Sequence, residues 1–431
     1  YTGPRCAPLP IFSWQPPTDQ PLRKTTSNAL HRELGAKMTP FAGYDMPVWY
    51  TSVGEEHAAV RTGAGIFDVT HMGVWELSGA SSESFLNALT TNDVSTLAPG
   101  DSHYSYLLGV NGVPLDDIFV YRLEAEKFMI VVNASNNDQD WAWVNAVREG
   151  QVCVDPLRTG ALLLDNPDRI SLRDLRNPTA GADQRVDVAL QGPKSRDVLL
   201  SLHGSEADKA AIKALPWSGV THAHLGGCDL IVSRTGYTGE RIAYELFVHP
   251  DKAPHLFKDL IDHGATPCGL ASRDSTRIEA GLPLYGHELG TEREFTPGDA
   301  GFASYVKLWK PFFIGKQAYL DREQQRDSVV TRFRMDSRGV KPPQGGDPVL
   351  DKRGRVIGVV TSCSIDSDGY QLGQAYLKAE LAEEGSPLLI LSGAAHRKTD
   401  GKAPADLHVG DKMTLPDAAT VLSRFPKKKS S

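Results

Sequence analysis

The stretch GVPLDDIFVYRL, Gly112–Leu123, constrains this chain more than any other. Its β-branched and aromatic run reads as a buried strand, yet it opens on two adjacent carboxylates, Asp116 and Asp117. Successive strand side chains point to opposite faces, so the two cannot form a carboxylate dyad in one small site unless a bulge intervenes. One aspartate is expected to serve the turn after Pro114. The other is expected to face inward, where a carboxylate is costly unless a cation or a hydrogen-bond donor meets it.

The segments around this strand fix the fold class. TSNALHRELGA reads as a helix stopped by Gly35, and EEHAAVRTGAGIFDV as a helix running into a strand. HMGVWELSG and KFMIVVNAS are strand-like, and DQDWAWVNAVREG is a helix ending at Gly150. Helices and strands mix without strict βαβ alternation, which predicts an α+β fold with largely antiparallel sheets. Residues 1–21, rich in proline, predict an extended arm draped over a surface or disordered. Residues 153–186 alternate turn residues with short apolar pieces and read as an insertion within a 22–330 region. Beyond that, residues 331–431 carry short strands with tight turns, as a small all-β domain would, before a solvated PKKKSS tail.

Charge and cysteine usage narrow the function classes. The chain has 431 residues and a net charge of −7, without the broad basic face of a nucleic-acid binder. No apolar run approaches the roughly 18 residues of a membrane span. Cys6, Cys153, Cys228, Cys268 and Cys363 are scattered and odd in number, which fits reduced thiols better than a disulfide framework. The N-terminus lacks the apolar core of a secretory signal. The expected setting is the cytoplasm, or the mitochondrial matrix in a eukaryote.

Walker loop, G-x-S-x-G elbow, HExxH and zinc-spaced cysteines are all missing from the sequence. His222 and His224 could share a strand face, either as metal ligands or as exposed histidines. In TGYTGERIAYELF, Gly236 and Gly239 suit a hairpin turn. That turn leaves Glu245 unexplained, a carboxylate inside the apolar run Tyr244–Val248 that needs a partner or a role. In SRDSTRIEAGLPLYGHEL, a helix ended by Gly281 and Pro283, Arg273 and Arg277 are four apart and share a face. Arg273 sits in the first turn, the unfavourable end of the dipole for a cation, which points to an anionic partner such as Glu245 or a ligand.

MTPFAGYDMPVWY, EEHAAVRTGAGIFDVTHMG, LDDIFVYRL, VVNASN, GYTGE, SRDSTRIEAGLPLYGHEL and FIGK occur in that order. Together they resemble the glycine cleavage system T-protein family, the folate-dependent aminomethyltransferases. The resemblance runs from Leu22 to Lys316 and continues more loosely through the C-terminal region. It implies a three-domain ring with tetrahydrofolate in its central hole and a small C-terminal β-barrel. The implied partner is the lipoylated H-protein, whose aminomethyl group gives up its one-carbon unit to tetrahydrofolate. Nucleic acid, membrane and metal are not expected.

By that resemblance Asp117 is the catalytic aspartate beside the folate nitrogens. Glu245 hydrogen-bonds the pterin, Tyr237 walls the pocket, and Arg273 accompanies Glu245. Met72, Met129, Val131 and Asn133 fall at folate-contact positions, and Arg332 meets the folate tail. Four departures stand out. Glu245 lies eight residues after Tyr237 where the family has seven. Ser304, with Tyr305 beside it, replaces the usual pocket tryptophan. The insertion at 153–186 is long, and the end from His396 matches poorly. Relatives in the same family include tetrahydrofolate-dependent demethylases of small methylated substrates, and a folate-binding protein without turnover is a further alternative.

Overall fold

Strand pairing in the computed structural model is antiparallel almost throughout, which settles the α+β class. The structure describes residues 8–16, 20–395 and 415–426. Cys6, His396 and the lysines of the PKKKSS tail lie outside them, as do part of the proline-rich arm and residues 396–414. The chain divides into two compact units, 1–273 with 303–324 and 274–302 with 325–431.

The first unit holds two large sheets. The six-stranded sheet runs in the order Val220–Leu225, Cys228–Ser233, Ala243–Val248, Val186–Gln191, Gly65–Asp68 and Thr266–Pro267. The five-stranded sheet runs Ser102–Leu108, Pro114–Glu124, Lys127–Val132, Gly73–Ser78 and Ser171–Asp174. Each sheet buries one face under helices. Val188, Leu190, Leu246 and Val248 pack with Leu256, Phe257 and Leu260 of helix Ala253–Asp262. Ile118, Val120, Ile130 and Val132 pack with Trp143, Val144 and Val147 of helix Asn137–Arg148. Fully burying one such side chain stabilises by about 1.5–3 kcal/mol. The other faces meet each other through Val74, Tyr121, Met129, Val131, Ile231 and Phe247. The alternation along Pro114–Glu124 therefore sends Ile118 and Val120 to the helix side, and Phe119 and Tyr121 to the sheet–sheet side.

The proline-rich arm is draped on this unit. Leu9 donates its amide to Thr159, Pro10 accepts from the Cys153 amide, and the Phe12 ring lies 5.1 Å from Trp143. Within the 153–186 segment, Ser171–Asp174 forms the edge strand that pairs with Gly73–Ser78, and Val186 opens the next strand of the six-stranded sheet. In the second unit six strands close into a barrel, in the order Ser328–Met335, Gln371–Lys378, Val356–Ile365, Pro348–Leu350, Pro387–Ile390 and Asp417–Leu422. Phe333, Met335, Val349, Val360 and Leu377 are among the residues of its core. Beside that core, Arg277 pairs with Glu288 at 2.7 Å and both are fully buried. Among the described residues no helix is long and apolar enough to cross a membrane.

Candidate active site

Asp116 and Asp117 both lie inside the strand Pro114–Glu124, so neither serves the turn after Pro114. That expectation fails because the strand begins at Pro114 itself and the turn precedes it. The alternation holds. Asp116 faces the helix-covered core and is fully buried, while Asp117 is half-buried on the side of Phe119 and Tyr121. The register slips between Leu107 and Leu108, opposite Leu115, so an irregularity does adjoin the pair.

Asn133 joins the two carboxylates. Its side-chain amide donates to Asp116 Oδ1 at 2.8 Å and to Asp117 Oδ1 at 3.0 Å. Its backbone N–H donates to Asp116 Oδ2 at 2.9 Å. Asn136 adds a further donor to Asp116 Oδ1 at 2.6 Å. The buried Asp116 thus accepts three N–H groups, which is what a carboxylate without a cation needs there. On its own face Asp117 accepts the Tyr104 hydroxyl at 2.9 Å. Burial, and after it the charge of Asp116, push the Asp117 carboxyl up to about 7. Burial raises the Tyr104 hydroxyl well above its usual range, so it is a neutral donor.

Glu245 has its partner on the other sheet. Tyr121 Oη donates to Glu245 Oε2 at 2.9 Å, and Thr235 donates to the same oxygen. Neither hydroxyl takes Oε1. Asp187 stands diagonal to Glu245 on the same sheet face, fully buried, with Oδ1 lacking a donor. Burial, then the Glu245 charge, raise its carboxyl well above the usual range, so Asp187 is the neutral acid.

Several of the expected site residues of the first unit lie in or beside the layer between the two sheets. Met72, Met129 and Val131 pack in the apolar layer with Tyr121. The Arg273 guanidinium lies 4.8 Å over the Tyr237 ring, and Tyr237 is near enough to Tyr104 to act on it electrostatically. Arg273 and Arg277 go to different partners, since Arg277 binds Asp274, Glu288 and Ser362 within the second unit. Arg332 also belongs to the second unit, buried in the barrel strand Ser328–Met335 and donating to the Ser423 carbonyl at 3.2 Å. Tyr305, beside the departure at Ser304, stacks edge-on against Tyr104 with ring centroids 5.0 Å apart.

The GYTGE glycines act differently from a simple hairpin. Residues 234–242 form a longer loop between Cys228–Ser233 and Ala243–Val248. Gly239 does need its left-handed φ of 81°. Gly236 does not; a Cβ there would sit 2.2 Å from Gln191 Oε1, so close packing demands the glycine. His222 and His224 are exposed on strand Val220–Leu225, and among the described residues no group of three or more His, Cys, Asp or Glu is set to hold a metal.

Sequence reasoning missed Tyr104, Tyr121, Thr235, Asn136, Asp140 and Asp187. The signal for the tyrosines was present: SHYSYLL and IFVYRL alternate, which puts Tyr104 and Tyr121 on the faces of Asp117 and Phe119.

The fold that carries these two carboxylates is one that known proteins share. The family described as GCVT N-terminal domain matches residues 28–310. The chain is 36% identical over 371 residues to an aminomethyltransferase of Bacillus subtilis (strain 168), covering 85% of this chain and 93% of that one. It is 37% identical to an aminomethyltransferase of Herpetosiphon aurantiacus, covering 86% and 94%. The crystal structure of glycine cleavage system aminomethyltransferase T from Bartonella henselae superposes with a TM-score of 0.74 at 28% identity, covering 93% of this chain and 97% of that one. The chain belongs to the GCVT family of aminomethyltransferases.

Proposed function

We propose that this protein is the aminomethyltransferase of a glycine cleavage system, with tetrahydrofolate as acceptor and the aminomethyl-bearing lipoyl arm of an H-protein as donor. The observation that carries the reading is Asp117, a half-buried carboxyl held by Tyr104 and Asn133 and raised to about 7. A carboxyl poised near neutrality can both take and return a proton.

The reaction requires such a group. The C–N and C–S bonds of the aminomethyl thioether break, and the carbon forms bonds to N5 and N10 of tetrahydrofolate. The two N–H protons displaced from the folate end on ammonia and on the lipoyl thiol. Asp117 is the residue for moving a proton from folate nitrogen to the leaving amine, and its anion stabilises the iminium-like charge on the carbon. Glu245 Oε1 suits the paired N–H donors of a pterin edge, with Oε2 already fixed by two hydroxyls. Met72 and Tyr237 supply apolar and aromatic walls, backed by the buried Met129 and Val131, and Asn133 holds Asp117 in place. Much of the acceleration comes from positioning folate N5 against the aminomethyl carbon.

The deciding assay mixes the purified protein with tetrahydrofolate and aminomethylated H-protein and follows methylenetetrahydrofolate and ammonia. No product with H-protein, but methyl or methylene transfer to tetrahydrofolate from a small methylated amine, would replace the donor and keep the acceptor.

A further inference from the structure

Asp140 is the residue of this site whose chemistry is least expected. It sits in the first turn of helix Asn137–Arg148 and is fully buried. Among the described residues, neither of its oxygens has a hydrogen-bond donor. The side chain within hydrogen-bonding reach of it is Asp116, and the charges acting on it are those of Asp116 and Asp117, both of its own sign.

A buried carboxylate with no donor and two like charges beside it does not persist as an anion. Asp116 is its opposite, with three N–H donors on its two oxygens. Of the two, Asp116 carries the charge and Asp140 carries the proton.

We propose that Asp140 is a positioning residue held as the neutral acid, whose carboxyl O–H donates to Asp116, so that Asp116 and the Asn133 amide together fix Asp117. Within residues 132–140, Asn133, Asn136 and Asp140 then share one purpose. Asn133, Asn136 and Asp140 leave the strand Lys127–Val132 and the following helix to surround a single carboxylate. The shared proton spreads the Asp116 charge over two residues and moderates its repulsion of Asp117. This inference rests on Asp117 being the reacting carboxyl, and its test separates the two claims.

The test compares the full-length protein with Asp140→Asn and Asp140→Leu at pH 8. In infrared difference spectra, the wild type should show a carboxylic-acid C=O band that is lost in Asp140→Asn, while the band of the neutral Asp187 remains. Asparagine keeps a neutral donor, so Asp140→Asn should turn over within about twofold of wild type with its acid limb unmoved. Leucine keeps the volume and removes the donor, so Asp140→Leu should lose about tenfold in kcat, with KM for tetrahydrofolate nearly unchanged and the acid limb moved to higher pH. No band lost on Asp140→Asn, or an acid limb that falls in that variant, means that Asp140 is an anion and overturns the inference. If Asp140→Leu does not fold, the infrared result with Asp140→Asn decides alone. Full turnover by Asp117→Asn would count against the reading of Asp117, whereas the infrared band reports on Asp140 by itself.

Discussion

Tyr121 on the five-stranded sheet donates its hydroxyl to Glu245 on the six-stranded sheet, 2.9 Å away. A carboxylate that would otherwise be a liability inside an apolar strand is thereby oriented by the neighbouring sheet. Tyr121→Phe removes one of its two hydroxyl donors and leaves Thr235. Tetrahydrofolate affinity should fall by about 1 kcal/mol, roughly fivefold in Kd, while Glu245→Ala should cost about 2–3 kcal/mol because the pterin donors lose their acceptor. Isothermal titration checks both; unchanged affinity in Glu245→Ala removes the residue from the ligand site.

Asp117→Asn keeps the shape and deletes the charge and the proton. Turnover should fall by about 10²- to 10³-fold, the size expected when one preorganised electrostatic group is lost, with Kd for tetrahydrofolate within about threefold of wild type. Single-turnover kinetics beside a binding titration would distinguish this from a folding defect. Asp116→Asn, by contrast, disturbs a buried group with three N–H donors and should show first as a lower melting temperature.

The raised Asp117 carboxyl sets a pH dependence whose sign can be worked out. With a folded value of about 7 above the ordinary 3.8, the folded protein holds this proton more tightly than the unfolded chain. Its contribution to stability is therefore fully present below about pH 4 and is lost as pH rises through about 7. If the anion is the reacting form, kcat/KM should rise about tenfold per pH unit below that point and level off above it. A flat profile between pH 5 and 8 would contradict the role. The thermal stability of Asp117→Asn relative to wild type should be greater at pH 8 than at pH 5.

In the second unit, Arg277 and Glu288 form a fully buried ion pair. Arg277→Met strands the glutamate and should cost about 3–5 kcal/mol in a urea titration. Arg277→Met combined with Glu288→Leu should recover most of that loss, since an apolar pair of similar volume replaces the ions. A double variant as unstable as the single one would show that Asp274 or Ser362, which also bind Arg277, dominate its worth.

What was legible in the sequence depended on local pattern. Period-two alternation put Asp116 and Asp117 on opposite faces, because adjacent strand residues have no choice of face, and the family resemblance then picked out Asp117. The mismatch of Glu245 with its apolar run marked it equally directly. The donors that make these carboxylates tolerable were only partly legible: alternation puts Tyr104 and Tyr121 on the right faces, but which carboxylate each reaches depends on strand register and sheet packing that no single segment encodes, and Thr235 comes from a loop. Asp140 was hidden for another reason. It looks like an ordinary first-turn helix acid, a favourable position for an anion, and only its burial against Asp116 reverses that. Gly236 read as a turn residue, though its constraint is the Gln191 side chain pressed against its Cα.

The arm at the start of the described chain carries one more consequence. Phe12 rests on Trp143, one helical turn beyond Asp140 on the same helix. A protease that cut after Phe12, or an affinity tag that pulled this stretch away, would uncover Trp143, a core residue of the helix whose first turn holds Asp140. Damage to a segment with no catalytic group of its own would then register as a shifted pH profile, and a preparation trimmed at this end could be mistaken for one with a mutated active site.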